Sequence, residues 1–225
     1  MNKKKQNKVY RQSLSNRLVH WGTAISIFAL IISGFGQMPM YKRYNIVKLP
    51  GAEWLGEYSL TLVMHYIAAI VLIFVVFYHI FVHTFQKQFD AVPKRGDGKE
   101  SIKIIKAMLT KGEEPPSEKY LAEQRLAYAA LGLTILALVL TGMVKVAKNV
   151  AFIAISHPIV YWSTAIHNAA TFVLIFLIIA HLAAFGIKAN RKLLPGMFHG
   201  YVDRDYAKHR HPLWYKKLKD EDKPM

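Results

Sequence analysis

The sequence predicts an all-α integral membrane protein: a bundle of four transmembrane helices, with both termini cytoplasmic and a short surface helix in the middle loop. The 225 residues are 53% hydrophobic although the formal net charge is +16. The apolar residues gather in four runs, each near the ~20 residues that cross a bilayer. Most of the 30 Lys and Arg residues lie in the amino-terminal segment, the middle segment and the tail. This asymmetry follows the positive-inside rule and gives no reason to invoke nucleic acid.

The predicted spans are taken in chain order, and we expect one domain over residues 1–225. They cover about residues 18–38, 59–83, 125–146 and 161–187. The first run is too long for a signal peptide, and no A-x-A-like cleavage site follows it. Before Gly112, four apolar residues recur at helical spacing: Ile102, Ile105, Met108 and Leu109. That stripe predicts a short helix lying on the membrane surface.

The fourth span is followed by a basic tail over residues 189–225, which we expect on the cytoplasmic side. Between Pro195 and Lys217 the tail mixes basic residues with Tyr201, Tyr206, Trp214 and Tyr215. Attraction to anionic lipid needs only the basic residues. The aromatic residues and turn signals therefore predict an ordered tail beneath the bundle, with its rings at the level of the lipid head groups.

Two histidines interrupt the fourth span, His167 and His181, which are 14 positions apart. At this spacing both imidazoles leave the same helix face, separated by a rise of about 21 Å. Ionisable side chains inside a span are costly and mark functional sites by default. The pair suggests ligands for two b-type haems, one near each membrane surface. The chain has no cysteine, which excludes disulfides and cysteine-ligated zinc or iron–sulfur clusters within it.

The two histidines that bind one haem must lie at the same depth in the membrane. His65 and His167 both lie early in spans that run from outside to inside, so they are natural partners for an outer haem. His181 lies late in its span and has two candidate partners, His20 and His79. The residues alone leave this choice open. His83, at the membrane edge, and His157, in an outer loop, are expected to be solvated.

Several segments resemble a known family. They are Arg17-Leu18-Val19-His20-Trp21, Ser33-Gly34, Ala165-Ile166-His167, Ala180-His181 and the tail segment Arg210-His211-Pro212-Leu213-Trp214-Tyr215. Together they resemble the gamma subunit of membrane-bound formate dehydrogenase, a four-helix di-haem cytochrome b. The resemblance extends over nearly the whole chain and is most specific in the tail.

The resemblance implies the cofactors and the ligands. Two haem b groups would be bound, with iron held by His65 and His167 on the outer side and by His20 and His181 on the inner side. It decides against His79, which stays as the reserve ligand. The family's quinone site includes a Tyr-Asn-Ala-Gly-Gln segment, and this chain has Tyr120-Leu121-Ala122-Glu123-Gln124 there. Tyr120, Glu123 and Gln124 are therefore the candidate contacts for menaquinone or ubiquinone.

The same resemblance implies a role in a complex of the bacterial cytoplasmic membrane. The chain would carry electrons between an iron–sulfur partner subunit and the quinone pool, while a separate catalytic oxidoreductase subunit oxidises formate. Iron held by two histidines has no open position, so such haems carry electrons and do not activate substrates.

Two alternatives stay open. The nearer one is a cytochrome b subunit of a nickel–iron hydrogenase or of a sulfur-compound reductase. The distant one is a metal-binding membrane transporter. Zinc sites usually combine close ligands that include carboxylates or thiolates, and the four predicted spans contain no Asp or Glu. That composition disfavours the transporter.

Overall fold

The computed structural model describes residues 7–110, 112–150 and 153–221. They divide into two compact units, which are described separately: Leu14–Lys87 on one side, and residues 7–13 with residues 88–221 on the other. The single domain expected from the sequence stays a prediction, because it concerns the relation between these units.

The first unit is a helical hairpin. Helix α1 spans Leu14–Gln37 and α2 spans Tyr58–Phe85, joined by a loop that holds the helical turns Met40–Arg43, Ile46–Lys48 and Glu53–Gly56. We call this the first hairpin. Its loop end is the end where the loop joins the helices, and its open end is the opposite one, at Leu14 and Phe85.

Small side chains let the two helices of the first hairpin approach closely. A Cβ atom on Gly36 would lie 2.5 Å from Cγ2 of Thr61, which is fully buried. A Cβ atom on Gly22 would lie 3.2 Å from Cγ2 of Val75. Small residues at such positions are the usual means of tight helix packing in membranes, where lipid competes with any apolar contact.

The second unit contains another hairpin. Helix α3 spans Asp97–Thr110, α4 spans Ala122–Val150, and α5 spans His157–Ala183 and continues as a 3₁₀ turn to Gly186. Helices α4 and α5 form the second hairpin, with its loop end at Val150 and His157. Helix α3 packs against the beginning of α4, where Ile104, Leu121 and Ala122 are completely buried.

The tail belongs to the second unit and is described as far as Glu221. After the turn Lys188–Arg191 come α6 (Leu194–His199), β2 (Tyr201–Asp203), α7 (Arg204–Arg210) and α8 (Pro212–Glu221). Strand β2 pairs antiparallel with β1 (Lys8–Tyr10) in the register Val9 to Val202. Gly200 makes the turn into β2 with φ of 89°, a backbone conformation that favours glycine.

All four predicted spans are present as helices long and apolar enough to cross a membrane. In the most apolar stretch of each helix, only 17% of the residues are buried in α1 and in α2, and only 6% in α4 and in α5. Most of the surface of each helix is therefore apolar and exposed. Such surfaces suit lipid, not water. The predicted four-helix membrane protein is therefore confirmed, whereas the sidedness of the termini stays a prediction.

Several details differ from expectation. His157 begins α5 and is not in a loop. The predicted surface helix exists as α3, but it turns Ile104 and Ala107 into the protein while Ile102, Ile105 and Leu109 remain exposed. The tail's Tyr206 and Trp214 do not face the head groups, because they form a small core with Val202 and Ala207. Burying these rings against protein is what holds the tail in a defined structure.

Candidate functional site

His65 lies near the loop end of the first hairpin and contacts a Ser-Gly pair on α1. The hydroxyl of Ser33 is 3.0 Å from Nδ1 of the His65 ring. A Cβ atom on Gly34 would lie 3.4 Å from Cε1 of the same ring, which is the near edge of ordinary contact. The imidazole therefore lies beside the α1 backbone at Gly34, and the neighbouring serine is hydrogen-bonded to it.

His167 has the same surroundings in the second hairpin. The hydroxyl of Thr141 on α4 is 2.9 Å from Nδ1 of the His167 ring. A Cβ atom on Gly142 would lie 3.4 Å from Cε1 of that ring. Each hairpin therefore carries a hydroxyl residue, a glycine beside it and an imidazole on the partner helix, at its loop end.

The hydroxyl protons decide which tautomer each imidazole adopts. Ser33 donates to the carbonyl of Ala29 at 2.6 Å, and Thr141 donates to the carbonyl of Ala137 at 2.6 Å. A hydroxyl has one proton, so each must accept from the imidazole, and Nδ1 carries the hydrogen. The lone pair of each neutral ring then sits on Nε2, which is the form in which histidine binds a metal. These residues therefore fit the axial ligands of a haem.

The open end of the first hairpin holds three histidines. His79 and His83 lie one turn apart on α2 with ring centroids 4.2 Å from each other, and Nε2 of His83 is 3.2 Å from Oδ1 of Asn16. The expected solvated His83 is thus half-buried and bonded to α1. His20 lies one helical turn further along α1, edge-on to Trp21 at 5.2 Å.

The open end of the second hairpin presents His181 in the last turn of α5. Its ring is 5.8 Å from that of Phe185, nearly perpendicular to it. His20 and His181 belong to different units, and the choice between His20 and His79 as partner of His181 stays a prediction.

The candidate quinone residues lie together at the beginning of α4. The Tyr120 hydroxyl accepts from Nε2 of Gln12 at 3.0 Å, and Oε1 of Gln124 accepts from the backbone N–H of Leu121 at 3.2 Å. Gln124 therefore satisfies one of the unpaired N–H groups of the helix start. One carboxylate oxygen of Glu123 is buried and accepts no hydrogen bond from the described residues.

A buried ion pair and a further buried arginine, which sequence reasoning missed, hold this segment. Arg125 donates to both oxygens of Asp97, at 2.8 Å and 2.5 Å, and to the carbonyl of Tyr120 at 2.6 Å. The side-chain hydrogen bonds from Arg125 hold the pKa of Asp97 below its usual range. An acidic residue 28 positions before a basic one carries no periodic signal, so only the fold could reveal the pair.

Arg11 is the further buried arginine. It is 95% buried, with its guanidinium 5.4 Å from the Tyr120 ring centre and 5.0 Å from that of Trp214. It also donates to the carbonyl of Lys119. Burial lowers the pKa of Arg11. The sequence predicts a basic cytoplasmic surface for this segment, but Arg11, directly after β1, is turned inward.

His211 of the tail is also buried. Its Nδ1 is 2.6 Å from the carbonyl of Glu118, so Nδ1 must be the donor. Burial and the nearby Arg11 lower the pKa of His211 to about 3. This histidine is therefore a neutral structural residue that ties the tail to the segment before α4.

The fold and the oriented imidazoles define a membrane-embedded helical protein with ligands suited to haem. Residues 11–200 match the family described as prokaryotic cytochrome b561. This chain therefore belongs to the prokaryotic cytochrome b561 family, and membership implies haem b.

The chain is also similar to cytochrome subunits of formate dehydrogenases. The cytochrome b556(Fdn) subunit of the nitrate-inducible formate dehydrogenase of Escherichia coli (strain K12) is 27% identical, over 95% of this chain and 93% of its own length. The cytochrome b556(fdo) subunit of the same strain is 22% identical, over 96% of each chain. The cytochrome b556 subunit of Haemophilus influenzae formate dehydrogenase is 23% identical, over 93% of this chain and 83% of its own. The identified resemblance is thereby confirmed.

Proposed function

We propose that this chain is the di-haem cytochrome b subunit of a formate dehydrogenase-type complex. It would conduct electrons across the membrane between an iron–sulfur partner subunit and the quinone pool. The observation that carries the proposal is the repeated arrangement at the two loop ends, where a hydroxyl holds Nδ1 of an imidazole and leaves its lone pair on Nε2.

Four imidazoles would hold the cofactors. His65 and His167 are the proposed ligands of one haem iron, and His20 and His181 those of the other, with His79 in reserve for His20. The bound haems would supply two one-electron carriers at different depths of the membrane. The protein's part is to orient neutral rings, to surround them with apolar residues and to leave no ligand position open for a substrate.

Quinone chemistry would occur near the beginning of α4. Converting a quinone to a quinol takes up two electrons and two protons. Glu123 supports a role in proton delivery, since its half-buried side chain has a carboxylate oxygen that accepts no hydrogen bond from the described residues. Tyr120 is held in place by Gln12 and Arg125, whereas Gln124 is occupied with the start of the helix. Of the three candidates, Glu123 is therefore the first to test.

The partner and the location follow from the relatives. They are subunits of formate dehydrogenases, so we propose an iron–sulfur subunit and a separate formate-oxidising subunit as partners. We also propose that the open ends of both hairpins and the tail face the cytoplasm, because they carry most of the Lys and Arg residues.

Extraction with acid acetone from the purified chain tests the cofactor part of this proposal. We expect about two haems per chain, because two pairs of imidazoles are available and no C-x-x-C-H attachment motif is present. Recovery of one haem per chain, or of haem that resists extraction, would contradict the proposal.

Purification of a tagged chain from its native membrane tests the partner. Co-purification of an iron–sulfur protein and formate:quinone activity is the expected result. Co-purification with a hydrogen-oxidising activity instead would favour the alternative partner while leaving the cytochrome role intact.

A further inference from the structure

The two loop ends share a feature that haem ligation alone does not require. Serine and threonine in spanning helices commonly donate to a carbonyl one turn earlier, whatever surrounds them. Ser33 and Thr141 do this, and each also lies within hydrogen-bonding distance of Nδ1 of an imidazole on the neighbouring helix. Thr134, seven residues before Thr141 on α4, donates to the carbonyl of Ala130 at 2.8 Å and provides the ordinary case.

We propose that Ser33 and Thr141 are positioning residues for the haem at the loop ends: each hydroxyl accepts from Nδ1–H of an axial histidine, fixes the ring and lowers the midpoint potential of that haem. This inference rests on the proposed function, since it assumes that His65 and His167 ligate iron.

The direction of the effect follows from the chemistry of the ring. An acceptor at Nδ1 pulls the N–H bond toward itself and makes Nε2 a stronger electron donor. A stronger donor stabilises ferric iron more than ferrous iron, so the potential falls. Because each hydroxyl proton is already committed to a carbonyl, the oxygen that faces the ring is polarised as an acceptor.

The arrangement also restricts ring rotation. Nδ1 of each ring is tied to a hydroxyl on the neighbouring helix, and that bond fixes one edge of the imidazole. Both axial histidines of that haem would thus be oriented in the same way, each by a hydroxyl group on the neighbouring helix.

The test compares hydroxyl removal at these two positions with removal at matched positions. The variants are Ser33→Ala, Thr141→Val and the double variant, and the controls are Ser26→Ala and Thr134→Val, each one heptad earlier on the same helix. Ser26 is buried, as is Ser33. Ser33→Thr and Thr141→Ser keep a hydroxyl and serve as rescue variants. Optical redox titration of the purified haem protein gives both midpoint potentials.

We expect an upward shift of one haem in each single variant and a larger shift in the double variant. The shifted haem is the one that His167→Ala removes. The other haem, both controls and both rescue variants should titrate as the parent protein does. Haem loss in Ser33→Ala with retention in Ser33→Thr and Ser26→Ala would support the same conclusion.

Three results would overturn the inference: no shift in the double variant, equal shifts of both haems, or controls that move as far as the test variants. Failure of the proposed function is distinguishable from these, because a parent protein with no haem or one haem would reveal it before any variant is made.

Discussion

The two hairpins are alike at one end and different at the other. At the loop ends each has a hydroxyl, a glycine and an imidazole in the same relation, Ser33-Gly34 with His65 and Thr141-Gly142 with His167. At the open ends the first hairpin has His20, His79 and His83, whereas α4 has no histidine and α5 has His181. The likeness supports our proposal that each loop end supplies one ligand of the same kind. At the open ends, by contrast, the first hairpin offers more than one candidate ligand and the second hairpin offers His181.

The largest expected effect concerns the unequal ends. His20→Ala should remove one haem from the purified protein, whereas His79→Ala should keep both, because the family resemblance assigns the inner ligand to α1. Haem extraction and reduced-minus-oxidised spectra measure this. His83→Ala is the matched control, since His83 is bonded to Asn16 and should leave the haem count unchanged. Haem loss in His79→Ala but not in His20→Ala would contradict this assignment and show that both ligands of the first hairpin, His65 and His79, lie on α2.

The next largest effect concerns the buried ion pair at the beginning of α4. Arg125→Leu should lower the free energy of unfolding by about 3–5 kcal/mol, because it leaves the buried carboxylate of Asp97 without its partner. Titration with a denaturing detergent measures the loss. Lys94→Leu, which removes a half-exposed partner of Glu118, is the control and should cost about 1 kcal/mol or less. Equal losses in both variants would show that the buried pair has no special role.

These examples show which parts of the molecule the sequence could predict. The four spans follow from local hydropathy, and the histidine pair of α5 from helical spacing, so both were accessible. Thr141 was missed because a threonine in a span ordinarily bonds its own helix and gives no sign of a histidine opposite. The burial of Arg11 depends on pairing between Lys8–Tyr10 and Tyr201–Asp203, strands almost a chain length apart, which no local pattern encodes.

The hairpins also differ in how closely their helices pack at a glycine. Gly36→Ala in the first hairpin places a methyl group 2.5 Å from Thr61 Cγ2 and should cost about 1–3 kcal/mol of unfolding free energy through overpacking. Gly132→Ala in the second hairpin is the control, since a Cβ there meets no described atom within 4 Å. Alanine should be neutral or stabilise α4 by up to about 1 kcal/mol. A neutral Gly36→Ala variant would mean that the first hairpin is less tightly packed than the structure indicates.

The smallest effect concerns pH and the tail. His211 has a pKa of about 3 in the folded chain, whereas the ordinary pKa of histidine is near 6.5. At pH values between these two, His211 is protonated in the unfolded chain and neutral in the folded chain. His211 therefore lowers stability as the pH falls below about 6.5, by roughly 1 kcal/mol per pH unit. His211→Asn keeps a donor near the carbonyl of Glu118 and should weaken this dependence. Thermal unfolding at pH 7.5 and 5.5 measures it, and an unchanged slope between the two pH values would contradict the assignment.

The central claim is that the two hairpins each supply one imidazole to a single haem at their loop ends. Extracted haem and the difference spectra of His65→Ala, His167→Ala and the double variant test it most directly. We expect each single variant to lose the same spectral component and the double variant to retain the other haem. Loss of different components in the two single variants, or of all haem in the double variant, would contradict it.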